Sequence, residues 1–234
     1  MRGLLAFAAG MAALVAWGVE AGQRLDVAWW AARLAEKEAE AQTHHDTVFI
    51  GDSITHNWDT LAPDLQKQYF GDVLNLGFSG DRTHEVLWRI RRIDWAKVAP
   101  QRIMVMIGTN DSGNAGAPPE ETFEGIRAIV DHLKAACPDA TITLLKIFPR
   151  GDDEEDGARR LNDAVNARLH ELADGKRVLL RDVSPFYFMQ DGKTLNRALV
   201  PDLLHPNREG LRIWAAAVAP EFMGWNAAAD AQAP

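Results

Sequence analysis

Short apolar runs that alternate with longer helical patterns constrain the fold of this 234-residue chain more than any other feature. Five runs rich in β-branched and apolar residues predict strands, and each leads into a turn and then an amphipathic stretch. Strands that alternate with helices of this length indicate βαβ units and a parallel sheet covered on both faces. The predicted strands cover residues 47–51, 72–77, 102–108, 141–148 and 177–183, and the predicted helices lie near residues 60–70, 82–95, 119–136, 156–173 and 207–219.

The composition fits a globular enzyme-sized domain and argues against one class of partner. Hydrophobic residues make up 47% of the chain and charged residues 25%, so a sizeable core is available. The net charge of −8 argues against a protein that follows nucleic-acid phosphates, because that role needs a basic face. The single cysteine, Cys137, excludes an intrachain disulfide and a CxxC metal site, and its setting predicts a small buried side chain.

The first 21 residues have the anatomy of a secretory signal peptide. Arg2 is followed by an apolar run from Leu4 to Trp17, and small residues precede a cleavage site after Ala21. The apolar run is shorter than the ~20 residues that a membrane-spanning helix prefers, so an uncleaved anchor is the alternative. We therefore expect export to the periplasm or secretion, without stable membrane insertion after cleavage.

A single domain is expected over residues 22–225, because the chain has no internal repeat, long linker or change of composition there. Residues 26–42 predict a lead-in helix whose Trp29, Trp30 and Leu34 pack on the domain. Residues 226–234 predict a disordered tail.

Polar residues follow the predicted strands at the points where ligands bind in open parallel sheets, outside the carboxyl ends of the strands. Asp52 and Ser53 follow the first strand, and a glycine-rich turn follows the second. An amide and a carboxylate follow the third, and an Asp/His pair precedes the last helix. Besides Asp52 and Ser53, the residues at these positions are Gly77, Gly80, Asp81, Asn110, Asp111, Asp202 and His205.

These residue types supply the parts of a serine hydrolase. A serine hydroxyl becomes a useful nucleophile when a histidine takes its proton, and a carboxylate on the other imidazole nitrogen orients the ring. Asp202 stands three residues before His205, so one turn of chain can join them. The backbone N–H groups of Ser53 and Gly80 and the side-chain amide of Asn110 are candidate donors to a tetrahedral oxyanion.

Each part also has an ordinary structural interpretation. Ser53 alone could cap a helix, and Gly80 could serve only a turn. Asn207 could cap the last helix and leave His205 exposed. The order of the parts after successive strands favours a catalytic site over this set of unrelated roles.

The four segments "GDSITHNW", "NLGFSGDRTHEVLWRI", "MIGTND" and "DLLHPNREG" resemble, in order, those of the SGNH or GDSL-type hydrolase superfamily over residues 45–220. The second segment and "FPRG" are similar to the platelet-activating-factor acetylhydrolase α-subunit-like branch, which many bacterial acylesterases share. The chain departs in reading GDSI for GDSL and in placing Ser79 where the brain enzymes have glycine. Thr55 excludes the G-x-S-x-G elbow of α/β-hydrolases.

This resemblance implies a flavodoxin-like three-layer α/β/α sandwich with a five-stranded parallel sheet, and no metal or organic cofactor. It implies Ser53 as nucleophile, His205 as base, Asp202 as the group that orients it, and Ser53, Gly80 and Asn110 as oxyanion donors.

The predicted function is a serine esterase that removes a short acyl group, by resemblance acetyl, from an oxygen ester of a sugar or lipid. A lysophospholipase or thioesterase is an alternative within the same chemistry. A non-catalytic carbohydrate- or lipid-binding module is an alternative from another class, and the resemblance also allows a homodimer.

Overall fold

Five parallel strands form the middle layer of the computed structural model, which describes residues 24–222. Their order across the sheet is β2-β1-β3-β4-β5, the flavodoxin-like order of doubly wound α/β folds. The predicted α/β class with a five-stranded parallel sheet is therefore confirmed. The strands are β1 (Thr47–Gly51), β2 (Val73–Gly77), β3 (Arg102–Met106), β4 (Thr141–Leu145) and β5 (Val178–Arg181).

Nine α-helices and three short 3₁₀ turns connect or flank these strands within residues 24–222. The helices are α1 (Ala28–Glu40), α2 (Ser53–Leu61), α3 (Pro63–Phe70), α4 (Thr83–Ile90), α5 (Trp95–Val98), α6 (Thr109–Gly113), α7 (Pro119–Ala136), α8 (Gly157–Asn166) and α9 (Arg208–Phe222). The 3₁₀ turns are Arg24–Asp26, Leu169–Leu172 and Ser184–Tyr187.

Two apolar clusters cover the opposite faces of the sheet. Val48 and Ile50 point into one cluster, which α4 and α7 cover. Phe49, between them, points into the other, which α2, α3 and α9 cover. This alternation follows from the two-residue period of a strand, in which successive side chains point to opposite faces. The chain therefore forms three layers, with helices on both sides of the sheet.

Several predicted helices are shorter or divided in the structure. The stretch predicted at residues 60–70 is two helices, because α2 already begins at Ser53 and Pro63 starts α3 after a break at Ala62. The stretch predicted at 82–95 is divided into α4 and α5, and the one predicted at 156–173 ends as a helix at Asn166. By contrast, the prediction at 119–136 coincides with α7.

The lead-in helix is present as α1, and its three residues predicted to pack on the domain differ in burial. Trp30 and Leu34 pack in the core, whereas Trp29 is 45% exposed. Adjacent residues project about 100° apart around a helix, so two consecutive tryptophans cannot share one buried face. The Trp29 ring instead lies beside His56, with 6.2 Å between ring centroids and 22° between the ring planes.

The predicted signal peptide at residues 1–21 and the predicted tail at residues 226–234 lie outside the described residues. Across residues 24–222, no helix has both the length and the apolar character needed to cross a bilayer.

Candidate active site

The turn between β1 and α2 presents Ser53 at the edge of the sheet. Asp52, not Ser53, caps the helix: its Oδ1 accepts a hydrogen bond of 2.9 Å from the N–H of Ile54. The capping alternative for Ser53 is therefore wrong, and its hydroxyl remains available for other contacts. Ser53 is also the first residue of α2, where backbone N–H groups have no partner inside the helix.

Ser53, His205 and Asp202 form a continuous chain of hydrogen bonds. Ser53 Oγ lies 2.8 Å from His205 Nε2, although the two residues are 152 positions apart in sequence. On the other side of the ring, His205 Nδ1 lies 2.6 Å from Asp202 Oδ2. With a proton on Nδ1, the ring donates to the carboxylate and accepts from the serine hydroxyl.

The loop that carries Asp202 and His205 is held by its own backbone. Asp202 Oδ1 accepts from the N–H groups of Leu204 at 3.0 Å and His205 at 2.7 Å. Leu203, between them, has φ of 61°, a left-handed conformation that is rare for a branched side chain and is often found at functional sites. Burial opposes ionisation of Asp202, but hydrogen bonds from the His205 backbone and ring and from Leu204 hold the pKa of its carboxyl below the ordinary value.

One part of the helix-start interpretation of this segment is also correct. Asn207 Oδ1 accepts from the N–H of Gly210 at 3.1 Å, so Asn207 caps the first turn of α9. The other part, an exposed His205, is wrong, because its side chain is only 30% exposed and contacts Ser53.

The loops after β2 and β3 meet the end of β1. The N–H of Phe78 donates to the carbonyl of Gly51 at 3.1 Å, which ties the glycine-rich loop to the turn before Ser53. Asn110 Nδ2 donates to the carbonyl of Asp81 at 2.9 Å, which ties the loop after β3 to the same loop. Ser53, Gly80 and Asn110 therefore lie on neighbouring loops at one edge of the sheet.

Two of the predicted oxyanion donors keep an N–H without a protein partner within residues 24–222. Gly80 has φ of +80° and donates no hydrogen bond from its N–H there. Asn110 uses one N–H of its amide for Asp81 and retains the other. Asn110 also lies in the short helix α6, where the sequence indicated only a loop. An oxygen atom placed at this edge of the sheet could accept hydrogen bonds from these two groups and from the N–H of Ser53.

Buried carboxylates lie beneath these loops. Asp81 is paired with Arg89 at 2.8 Å and also accepts from Trp30 Nε1 at 2.8 Å. Asp111 accepts from the Thr83 hydroxyl at 2.7 Å. Burial raises the pKa of Asp111 to about 6 and that of Asp52 to about 7. These side chains stabilise the loops from below rather than face the solvent.

Arg24 is the residue near the site that the sequence did not indicate. Its guanidinium donates to the carbonyl of Ser79 and to the carbonyl of Gly80, each at 3.0 Å. The contact spans 56 positions, so no local motif announces it. His56 makes a further contact with the same loop, with 3.0 Å between its Nδ1 and Ser79 Oγ.

One further expectation concerns a residue away from this edge. Cys137 is buried as predicted, and burial raises the pKa of its thiol to about 12. In the part of the chain that the structure describes, no three His, Cys, Asp or Glu side chains group as metal ligands would.

Comparison with known proteins gives matches over most of the chain. Residues 49–213 match the GDSL-like lipase/acylhydrolase family. The chain is 31% identical over 170 residues to the bovine platelet-activating factor acetylhydrolase IB subunit alpha1, covering 70% of this chain and 69% of that protein. It is 32% identical over 150 residues to the rat alpha2 subunit, covering 63% of each chain.

Solved structures have the same fold. An acylhydrolase structure from Bacteroides fragilis superposes with a TM-score of 0.70 at 24% identity, covering 82% of this chain and 95% of that one. An acetylxylan esterase from Geobacillus stearothermophilus superposes with a TM-score of 0.61 at 21% identity, covering 80% and 97%.

Proposed function

Since this chain belongs to the GDSL-like lipase/acylhydrolase family and is a carboxylic ester hydrolase, we propose that it uses Ser53, His205 and Asp202 as a catalytic triad. The observation that carries the proposal is the unbroken hydrogen-bonded chain from Ser53 Oγ through His205 to Asp202. A non-catalytic binding module would have no use for a serine aligned in this way with a base and its carboxylate.

In the proposed reaction, Ser53 Oγ attacks the ester carbonyl while its proton passes to His205 Nε2. The tetrahedral intermediate collapses, the C–O bond to the alcohol breaks, and the imidazolium returns the proton to the leaving oxygen. Water then attacks the acyl-serine with His205 as base, and the free acid and Ser53 are released. Asp202 orients the imidazole and stabilises the imidazolium in both steps.

The oxyanion of each intermediate is stabilised by three N–H groups in this proposal. They are the backbone N–H of Ser53 at the start of α2, the N–H of Gly80, and the free N–H of the Asn110 amide. Removal of one such donor typically costs about 10²–10³ in kcat. The ties between Phe78 and Gly51 and between Asn110 and Asp81 support this grouping, because they hold the three loops together.

The proposed substrate is an ester of a short acyl group, with acetyl first. The support is the likeness to proteins whose name is acetylhydrolase. An acetylated sugar is favoured as substrate by one observation: the half-exposed indole of Trp29 lies beside His56, one turn after Ser53. Such a ring is a flat apolar surface with a polar edge on which a sugar can stack. A lipid ester is the second candidate, because the same surface accepts an apolar chain.

The test of the triad is Ser53→Ala assayed on p-nitrophenyl acetate. We expect kcat to fall by about 10⁴–10⁶-fold, since loss of a nucleophile removes the covalent route. Ser184→Ala, in a 3₁₀ turn after β5, is the matched serine control and should retain wild-type activity. An organofluorophosphonate should label the wild type at Ser53. Full activity or full labelling of Ser53→Ala would refute the assignment.

The same assay extended over substrates decides the acyl and alcohol preferences. Acetylated sugars, lipid esters and p-nitrophenyl esters of graded length should be compared by kcat/KM. The proposal expects activity to fall as the acyl chain lengthens beyond acetyl.

A further inference from the structure

We propose that Arg24 is a positioning residue of the oxyanion hole, which it serves by fixing the peptide unit between Ser79 and Gly80. This inference rests on the proposed function, because it assigns Arg24 a task in the same reaction. Arg24 lies 25 positions before the residues that match the family, so it belongs to a segment outside the matched region.

The geometry of the contact determines the direction of the Gly80 N–H. Arg24 Nη2 donates to the carbonyl of Ser79 at 3.0 Å, and that carbonyl belongs to the same planar peptide unit as the N–H of Gly80. In a trans peptide the C=O and N–H bonds point in opposite directions, so holding the oxygen also aims the N–H. Arg24 Nη1 donates to the next carbonyl, that of Gly80, also at 3.0 Å. The planar guanidinium therefore holds two successive peptide units.

Gly80 needs such a restraint more than other residues would. Its φ of +80° is accessible because glycine has no side chain, and the same freedom leaves the backbone easy to rotate. A Cβ atom at Gly80 would lie 3.4 Å from both terminal nitrogens of Arg24, so the guanidinium covers this residue closely. The restraint that a side chain would normally provide comes from Arg24 instead.

Arg24 is itself held in a fixed position. Its side chain is 22% exposed, lies 3.9 Å from Asp81 Oδ1, and is 5.9 Å from the centroid of the Trp30 ring. Asp81 is in turn fixed by Arg89 and by the indole N–H of Trp30. The guanidinium thus contacts the buried Asp81 carboxylate on one side and the Ser79–Gly80 peptide on the other.

The charge of Arg24 adds to its geometric effect. A cation that donates to a carbonyl makes a stronger hydrogen bond than a neutral donor does. It also polarises the peptide unit, which makes the N–H on the opposite side a better donor to a developing oxyanion. The stronger hydrogen bond from Arg24 and the better donor at Gly80 both stabilise the transition state most, because the substrate oxygen carries its charge there. Loss of Arg24 should therefore lower kcat.

The test is Arg24→Gln in the full-length chain, with kcat and KM measured separately on p-nitrophenyl acetate. Glutamine is polar but shorter than arginine, and it carries neither the positive charge nor the two-pronged guanidinium. We expect kcat to fall by about 10–10²-fold with KM changed less than about twofold, a smaller loss than removal of a donor itself. Arg24→Lys should recover part of kcat, since an ammonium keeps the charge but cannot reproduce the two-pronged contact.

Arg92→Gln is the matched control. Arg92 also fastens the lead-in helix to the domain, through Glu38 at 2.6 Å, but it does not touch the Gly80 loop. If Arg24 only anchors its segment, Arg24→Gln and Arg92→Gln should lower stability alike and leave kcat per folded molecule unchanged. That result would overturn the inference.

Addition of guanidinium ion below denaturing concentration to Arg24→Ala should raise its kcat if the cation is what the loop requires. No recovery there, together with wild-type kcat in Arg24→Gln, would refute the role of Arg24 while Ser53→Ala still tests the triad. Activity in Ser53→Ala would instead refute the proposed function and this inference with it.

Discussion

Asp52 and Asp202 flank the contact between Ser53 and His205 from opposite environments. Asp52 is 1% exposed and directs its carboxylate to the backbone of its own helix, at the N–H of Ile54. The side chain of Asp202 is 56% exposed and directs its carboxylate to the His205 ring and backbone. Burial raises the pKa of Asp52 to about 7. Burial also opposes ionisation of Asp202, but the hydrogen bonds from His205 and Leu204 together outweigh it and lower the pKa of that carboxyl.

The difference indicates a division of tasks between the two sides of the site. The buried side holds the backbone of the strand-end loops through capping and ion pairs, and it therefore governs stability. In the proposed reaction the exposed side holds the charge that responds to a proton on His205, and we therefore expect it to govern rate. Substitutions on the two sides should separate stability from activity.

The largest effect is expected on the exposed side, from Asp202→Asn. This change keeps the size of the side chain but removes the charge that, in the proposed mechanism, orients His205 and stabilises its imidazolium. We expect kcat on p-nitrophenyl acetate to fall by about 10²–10⁴-fold. The free energy of unfolding in urea should change by less than about 1 kcal/mol, as for most exposed positions. If Asp202→Asn lost stability but kept its activity, the proposed division of tasks between the two sides would be wrong.

The buried side should show the reverse pattern in Arg89→Met. Arg89 and Asp81 are both almost fully buried, and removal of one partner leaves an uncompensated charge. We expect the free energy of unfolding to fall by about 3–5 kcal/mol. The double variant Arg89→Met with Asp81→Asn removes both charges and should recover part of this loss. Equal stability of the single and double variants would contradict the role of the buried charge.

A smaller effect is expected from Asp52→Asn, and it should depend on pH. The folded pKa of about 7 lies above the ordinary value of 3.8, so the folded protein binds an extra proton between these values. Its contribution to stability is complete below about pH 4 and is lost as the pH rises through about 7. Relative to the wild type, Asp52→Asn should gain roughly 2–4 kcal/mol between pH 4 and pH 8, since one pKa unit corresponds to about 1.4 kcal/mol.

Asp202→Asn provides the contrast in the same urea titrations. Its folded pKa lies below 3.8, so its contribution to stability is present at neutral pH and is lost as the pH falls through the folded pKa. The two variants should therefore depart from the wild type with opposite slopes, and the slope for Asp202→Asn should be slight because of its exposure. If the stabilities of the wild type and of Asp52→Asn changed in parallel with pH, the pKa of Asp52 would not be raised by folding, which would contradict this prediction.

Much of the sheet could be predicted because its signals are local. The run at 47–51 coincides with β1, and the stretch at 119–136 coincides with α7, since both have strong apolar patterns between clear boundaries. The order of polar residues after the strands also indicated which loops meet, because parallel strands end at one edge.

The rest depends on contacts between distant parts of the chain. Asp52 and Ser53 are both good caps in isolation, and only the turn geometry decides that Asp52 fills this role. The rotation of α1 against the sheet decides that Trp30 is buried and Trp29 is exposed. Arg24 reaches the Gly80 loop across 56 positions, and a single arginine before the lead-in helix has no pattern that would indicate this contact.

The placement of Asp202 and His205 on one short loop has a mechanical consequence. The Asp202 carboxylate is hydrogen-bonded to the ring and the backbone of His205, so we expect the carboxylate and the imidazole to move together if the loop moves. A displacement of the loop therefore changes one critical separation, that between His205 Nε2 and Ser53 Oγ, which is 2.8 Å. A triad whose members come from three independent elements has two separations to maintain. In the proposed triad of this chain, only one of these two separations depends on how the Asp202–His205 loop lies against the rest of the domain.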